Sequence, residues 1–212
     1  GIRDLSLVNT PPADRRAVRT RLLPANDYII QEAVSREIRR GGQVYIVHNR
    51  IDTIYEYGRY LGSILPNVKI VIGHGQMREE KLEKVMMEFI EGEFDVLLST
   101  TIIESGLDIT NANTIIINNA HIFGLSQLYQ LRGRVGRSNV QAYAYLLVPP
   151  DLILSGVANE RLNVLQDLND LGAGFKVASR DLEIRGAGNL LGSEQSGQIA
   201  SVGLELYTQM VD

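Results

Sequence analysis

Apolar residues follow two rhythms that take turns along the chain. Short solid runs alternate with stripes at helical spacing. The first stripe, Ile29, Ile30, Ala33, Val34 and Ile38, opens after Asn26-Asp27, a helix-start signal, and stops at Gly41-Gly42. Gln43-Val44-Tyr45-Ile46-Val47 follows as a run of the kind buried on both faces of a parallel sheet. The alternation then predicts an amphipathic helix over 52–65 and a strand over 68–72. A helix over 77–90, with Leu82, Val85, Met86 and Phe89 on one face, leads into a strand over 94–99. A strand over 114–117, a helix over 125–131 and a strand over 142–148 complete the series. Upstream, residues 16–22 alternate loosely, as an edge strand would, after the extended Thr10-Pro11-Pro12. Strands alternating with helices mean repeated βαβ units. The expected class is α/β, a mostly parallel β-sheet flanked by helices.

The pattern changes after Pro149-Pro150. Residues 159–171, 173–184 and 202–211 read as helices, with a loop rich in Gly, Ser and Gln over 186–197. Three parts are expected: a lead-in with an edge strand over 1–24, an α/β lobe over 25–150, and a tail over 151–212 of helical hairpin, loop and C-terminal helix. The 212 residues exceed one ordinary domain of roughly 100–150, which suits a lobe with an appendage. The chain opens on Gly1 rather than Met, as an excised stretch of a longer chain would.

Composition and charge narrow the classes. The chain has 21 Lys+Arg against 25 Asp+Glu, a net charge of −4, which is not the basic balance of a simple nucleic-acid binder. Of those 21 cations, 17 are Arg and 4 are Lys, and Arg is the residue of bidentate phosphate contacts. With no Cys, disulfide scaffolds, cysteine-ligated metals and thiol nucleophiles are excluded, and a reducing cytoplasm is the expected setting. No run of ~18 apolar residues is present, so no membrane span is expected, and the first residues lack the order of a signal peptide.

The segment Gln127-Leu128-Tyr129-Gln130-Leu131-Arg132-Gly133-Arg134-Val135-Gly136-Arg137 concentrates candidate chemistry. On a helical wheel Leu128, Leu131 and Val135 share one stripe. Gln127, Gln130, Arg134 and Arg137 share the adjoining one. Within a helix each Gly would cost ~1 kcal/mol relative to Ala. That cost is explained if something approaches the backbone closely or if the helix ends there. Two guanidiniums a turn apart suit a polyphosphate and the charge of a transferring phosphoryl group. The plainer reading is a helix terminus decorated with Arg. A second candidate stretch, Ser99-Thr100-Thr101 through Gly106-Leu107-Asp108, follows a strand directly. Ligands of open parallel sheets bind at such carboxyl ends. The hydroxyls of Thr100 and Thr101 can hold nucleic-acid phosphates without reading sequence, and Asp108 can accept from a ribose hydroxyl or shape a turn.

Together these residues carry a resemblance. Thr100-Thr101 with Gly106-Leu107-Asp108 resembles motif V of superfamily 2 helicases, and the string from Gln130 to Arg137 resembles motif VI. His48-Asn49-Arg50 is similar to motif IV, and Gly73-His74-Gly75-Gln76-Met77 to the adjoining motif that touches the tracking DNA strand. The tail, with Asp181-Leu182-Glu183-Ile184-Arg185-Gly186-Ala187-Gly188 and Glu194-Gln195-Ser196-Gly197, resembles the translocation motif of the RecG/Mfd group of DNA translocases. Ala187 and the Glu194–Gly197 ending side with the branch that couples transcription to repair, against the fork-remodelling RecG branch.

The resemblance implies a second RecA-like lobe, Arg137 as the finger, and Arg134 as a further phosphate contact. Gly106, Asp108 and Gln130 fall on the nucleotide side, and Asn49, His74, Thr100 and Thr101 on DNA. Arg185 and Gln195 couple ATP use to stepping on double-stranded DNA. It further implies ATP with Mg²⁺ held mainly by a first RecA-like lobe, and RNA polymerase and excision-repair proteins as partners through domains outside this stretch. None of Lys69, Lys81, Lys84 and Lys176 follows a Gly, and no adjacent Asp-Glu pair exists. The P-loop and the acidic box are therefore expected elsewhere, and no metal site is expected here. The competing class is a non-catalytic α/β binding or docking module. A Rossmann site fails, because Gly41-Gly42 precedes its strand instead of following it.

Overall fold

The computed structural model describes residues 18–101, 111–151 and 155–167. The chain divides into two compact units, Ala25–Asn118 and the combination of Gly1–Pro24 with Asn119–Asp212.

The first unit opens with helix α1 (Asp27–Arg39). The Asn26 side chain caps it by accepting from the Ile29 N–H at 2.8 Å, and Asp27 at its start and Arg36 and Arg39 at its end complement the helix dipole. Strand β2 (Gln43–Val47) is buried along its whole length. Its Val44, Ile46 and Val47 are fully buried, worth about 1.5–3 kcal/mol for each side chain removed from water. Then come α2 (Ile54–Ile64), β3 (Ile70–Gly73), α3 (Glu79–Ile90), β4 (Val96–Ser99) and β5 (Ala112–Ile117). Within this unit β2 pairs with β4 and with β5, and β3 pairs with β4, all in parallel. The strand order is thus β5-β2-β4-β3, with β2 and β4 inside and buried throughout. The Gln43 amide fixes the entry to β2 by donating to the Phe89 and Phe94 carbonyls at 2.6 and 2.8 Å.

Two expectations shift within these elements. Ile38 and Leu82, placed on apolar faces by spacing, are only half-buried. On α1 the deep position belongs to Glu37, which is 1 % exposed. Its carboxylate accepts from the Arg40 guanidinium at 2.7 and 2.9 Å and from the Thr114 hydroxyl at 2.6 Å. Close packing around that group explains Gly42: a Cβ there would lie 2.5 Å from Glu37 Oε2. The helices α2 and α3 begin later than the apolar pattern suggested, at Ile54 and Glu79, because the preceding residues belong to loops at strand ends.

In the second unit β1 (Arg19–Pro24) pairs in parallel with β6 (Tyr143–Val148). A short 3₁₀ turn (Ala120–Ile122), helix α4 (Leu125–Arg132) and helix α5 (Gly156–Asp167) complete its described part. Helix α5 packs against β1, α4 and the 3₁₀ turn, so chain beyond Pro150 contributes to the support of the lead-in strand. The expected helices over 173–184 and 202–211 and the loop over 186–197 lie outside the described residues.

Candidate nucleic-acid interface

Parallel pairing puts the carboxyl ends of β2, β3, β4 and β5 at one edge of the first unit. The residues that leave those ends are His48-Asn49, His74-Gly75-Gln76, Thr100-Thr101 and Asn118. Between them lies an open cleft of ≈ 540 Å³ lined by Asn49, Ile51, Asp52, Gly75, Gln76, Thr100 and Thr101. Asn49, Thr100 and Thr101 were expected as DNA contacts from sequence, and the fold brings all three to this one cleft.

The polarity of the cleft follows from its hydrogen bonds. Thr101 Oγ1 donates to Asn49 Oδ1 at 3.1 Å, which leaves the Asn49 Nδ2 protons without a partner among the described residues. The Gly75 N–H donates to Thr100 Oγ1 at 3.3 Å, so the Thr100 hydroxyl keeps its own proton for another acceptor. Asn49 and Thr100 are therefore able to donate to an acceptor such as a phosphodiester oxygen. Asp52 lines the cleft as well, and its carboxylate takes a bidentate bond from Arg50 at 2.8 and 3.2 Å. That guanidinium holds the Asp52 carboxyl below its ordinary range, and Asp52 in turn raises the Arg50 pKa.

His74 lies differently from a direct contact. It is 8 % exposed, and both ring nitrogens are engaged: Nδ1 accepts from the Gln76 N–H at 3.2 Å and Nε2 meets the Tyr55 hydroxyl at 2.9 Å. His74 holds its loop, and the exposed group beside it is Tyr55, which sequence reading missed. The only signal for Tyr55 was a large aromatic in the first turn of an amphipathic helix.

His48, next to Asn49, is the buried anchor of the same edge. Its ring stacks on Tyr57 with centroids 4.6 Å apart. Nδ1 accepts from Asn118 Nδ2 at 3.0 Å, and Nε2 donates to Thr53 Oγ1 at 2.8 Å. Thr53, at the start of α2, thus directs its hydroxyl to His48 and makes no capping bond. Burial, aided by Arg50, lowers the His48 pKa from its ordinary value, so the neutral ring that this pattern needs is favoured. Burial likewise raises the Tyr57 pKa.

In the second unit the expected stripe of Gln127, Gln130, Arg134 and Arg137 on one helix requires correction. Helix α4 ends at Arg132 with Gly133 as its cap. Gly136 stands at φ +80°, where a Cβ would lie 2.9 Å from Val18 Cγ2 and 3.4 Å from Ala142 Cβ. Of the two explanations for these glycines, the helix end accounts for Gly133 and close packing accounts for Gly136. Arg134 and Arg137 are exposed and sit on the turn that follows the helix. Leu128, Leu131 and Val135 are buried as the pattern predicted. Arg132 is buried too, its guanidinium 5.3 Å from the centroid of the Tyr129 ring. Gln130 is exposed on α4. Gly106, Asp108, Arg185 and Gln195 lie outside the described residues.

Parallel strands with a ligand edge at their carboxyl ends, and an Arg-bearing turn after a helix, define an α/β lobe of the helicase type. Residues 25–139 match the model of the helicase conserved C-terminal domain, and the chain belongs to that family. Over all 212 residues it is 55 % identical to the transcription-repair-coupling factor of Myxococcus xanthus and 53 % identical to that of Haemophilus influenzae, covering 18 % of each. The corresponding factor of Bacillus subtilis is 52 % identical, again over 18 % of its length. The chain thus spans about a fifth of the curated relatives it matches. Among solved structures, RecG bound to a three-way DNA junction superposes with a TM-score of 0.71 at 36 % identity, over 93 % of this chain and 27 % of RecG. Domain 2 of the DEAD-box helicase Mss116p shares the fold, with a TM-score of 0.56 at 16 % identity over 79 % of this chain and 69 % of that one. Among the described residues no helix is long and apolar enough to cross a membrane.

Proposed function

We propose that the chain is the second RecA-like motor lobe of an ATP-dependent double-stranded DNA translocase that acts in transcription-coupled repair. The observation that carries this reading is the cleft at the carboxyl edge of β2, β3 and β4, where Asn49 and Thr100 present donors and Gly75 and Gln76 supply loop backbone. A surface of neutral donors grips phosphates without reading bases, as a motor that moves along any sequence requires. The relatives named as transcription-repair-coupling factors support the repair role over the fork-remodelling one.

In this reading Arg137 and Arg134 serve the nucleotide. They suit a polyphosphate: both are exposed, both present planar guanidinium forks, and the backbone that carries them is fixed where Gly136 packs on Val18 and Ala142. ATP with Mg²⁺, held mainly by a first RecA-like lobe, supplies the phosphoryl chemistry. This chain supplies donors to the developing charge. Gly106, Asp108 and Gln130 are assigned to the nucleotide side. The domain plan is likewise part of the proposal: a lead-in over 1–24, the lobe over 25–150, and a coupling tail over 151–212 carrying Arg185 and Gln195. RNA polymerase and excision-repair proteins are assigned to domains outside this chain, and the setting to the cytoplasm.

The test is binding of mixed-sequence duplexes by the full-length protein at several salt concentrations. Affinity should fall linearly on a log–log plot, vary little with sequence, and drop in Asn49→Ala. Strong preference for one sequence, or binding indifferent to Asn49, would contradict the reading.

A further inference from the structure

The hydrogen-bond chain through His74 has a direction, and the direction identifies a ligand group. A backbone N–H can only donate, so the Gln76 N–H fixes His74 Nδ1 as an acceptor. The ring proton must then sit on Nε2. Nε2 donates to the Tyr55 hydroxyl, 2.9 Å away, and the oxygen of Tyr55 is the acceptor in that pair. The Tyr55 proton is left to donate outward. Tyr55 is 47 % exposed and lies in the first turn of α2, just after Ile51 and Asp52, which line the cleft; Gln76, at the other end of the chain, lines it too. The T-shaped contact of the Tyr55 and His74 rings, 5.7 Å between centroids at 87°, holds the Tyr55 ring in place beside His74.

We propose that Tyr55 is a further phosphate-contacting residue of this cleft, donating its hydroxyl proton to a phosphodiester oxygen, with His74 as the positioning residue that sets the direction of the donor. The inference rests on the nucleic-acid reading above and deepens it. An acceptor completes the relay, because the one group that His74 leaves Tyr55 to offer as a donor is its hydroxyl proton. A neutral donor also suits a site where Asp52 occupies the guanidinium of Arg50. It adds grip without another charge.

The test uses the full-length protein and a mixed-sequence duplex at fixed salt. Tyr55→Phe keeps the ring, the helix and the fold while removing the one proton. It should weaken binding about three- to tenfold, the range of an ordinary net hydrogen bond. The slope of affinity against salt should stay as in the wild type, because no cation is lost. Fluorination of the Tyr55 ring at its 3-position makes the hydroxyl a stronger donor and should tighten binding, an effect that a merely structural tyrosine would not produce. Equal affinity for Tyr55→Phe and wild type, with normal salt-dependent binding by both, overturns the role of Tyr55 and leaves the proposed function standing. Weakening by Phe without tightening by fluorination also overturns it, in favour of a packing role. Absence of duplex binding by the wild type overturns the function itself, and Tyr55 with it.

Discussion

Gly136→Ala should destabilise the chain by about 2–3 kcal/mol, whereas the same substitution at Gly133, three residues upstream, should not. At Gly136 the backbone sits at φ +80°, where a Cβ costs ~1–2 kcal/mol. The new methyl would stand 2.9 Å from Val18 Cγ2 and 3.4 Å from Ala142 Cβ. Both neighbours are buried, so overpacking adds roughly 1–3 kcal/mol. The smaller conformational freedom of the unfolded chain returns ~0.4–1 kcal/mol. Gly133 has φ −68°, and its nearest atoms, the carbonyls of Gln130 and Tyr129, stand at 3.4 and 3.5 Å. Only the unfolded-state effect remains there, so Gly133→Ala should be neutral or stabilising by up to ~1 kcal/mol. Urea unfolding followed by far-UV circular dichroism measures both, with midpoints compared at unchanged slope. Equal midpoints for the two variants would refute the claim that these glycines serve different ends. Because Gly136 holds the turn that carries Arg134 and Arg137, ATP hydrolysis by the full-length Gly136→Ala protein should fall as well.

Three further outcomes are expected. Glu37→Gln removes the charge that Arg40 and Thr114 converge on and should cost about 1.5–3 kcal/mol in urea unfolding; a cost below ~0.5 kcal/mol would mean the buried carboxylate is replaceable. His48 has its pKa lowered by burial and by Arg50, against the opposing pull of Asp52. The unfolded ring, near its ordinary 6.5, takes up a proton first as pH falls. The stability that neutral His48 contributes is therefore present above that value and lost as pH drops through the folded one. The unfolding free energy of wild type minus that of His48→Gln, followed from pH 7.5 to 5, should decline, and a flat difference would contradict the buried neutral ring. Asp52→Asn should free Arg50 for phosphate, tightening duplex binding and steepening its salt slope by about one; looser binding would mean the pair holds the loop in place.

Much of this arrangement was legible because period and direction carry it. The solid runs around Val44–Val47 and Val96–Leu98 are of the kind buried on both faces of a sheet, and a parallel sheet then places Asn49, Thr100 and Thr101 at one edge. What stayed hidden depends on groups distant in sequence. Glu37 occupies a core position because Arg40 and Thr114 satisfy it, and no periodicity reports that. The wheel from Gln127 to Arg137 assumed a helix that continues, whereas the left-handed backbone at Gly136 ends any such continuation. Tyr55 became visible only when the fold set it against His74. His74 itself was marked by its motif, yet the motif could not say that both its nitrogens face inward.

If this chain is half of a motor, it contributes the guanidinium that acts on a nucleotide held elsewhere. DNA-stimulated ATP hydrolysis by the full-length protein, wild type against Arg137→Ala, tests it most directly, with the 212-residue chain assayed alongside. Arg137→Ala should lose about 10³-fold or more in turnover, the scale of an arginine finger, while duplex binding persists, and the chain alone should hydrolyse ATP no faster than buffer. Near-normal turnover by Arg137→Ala, or Arg137-dependent hydrolysis by the isolated chain, would contradict it.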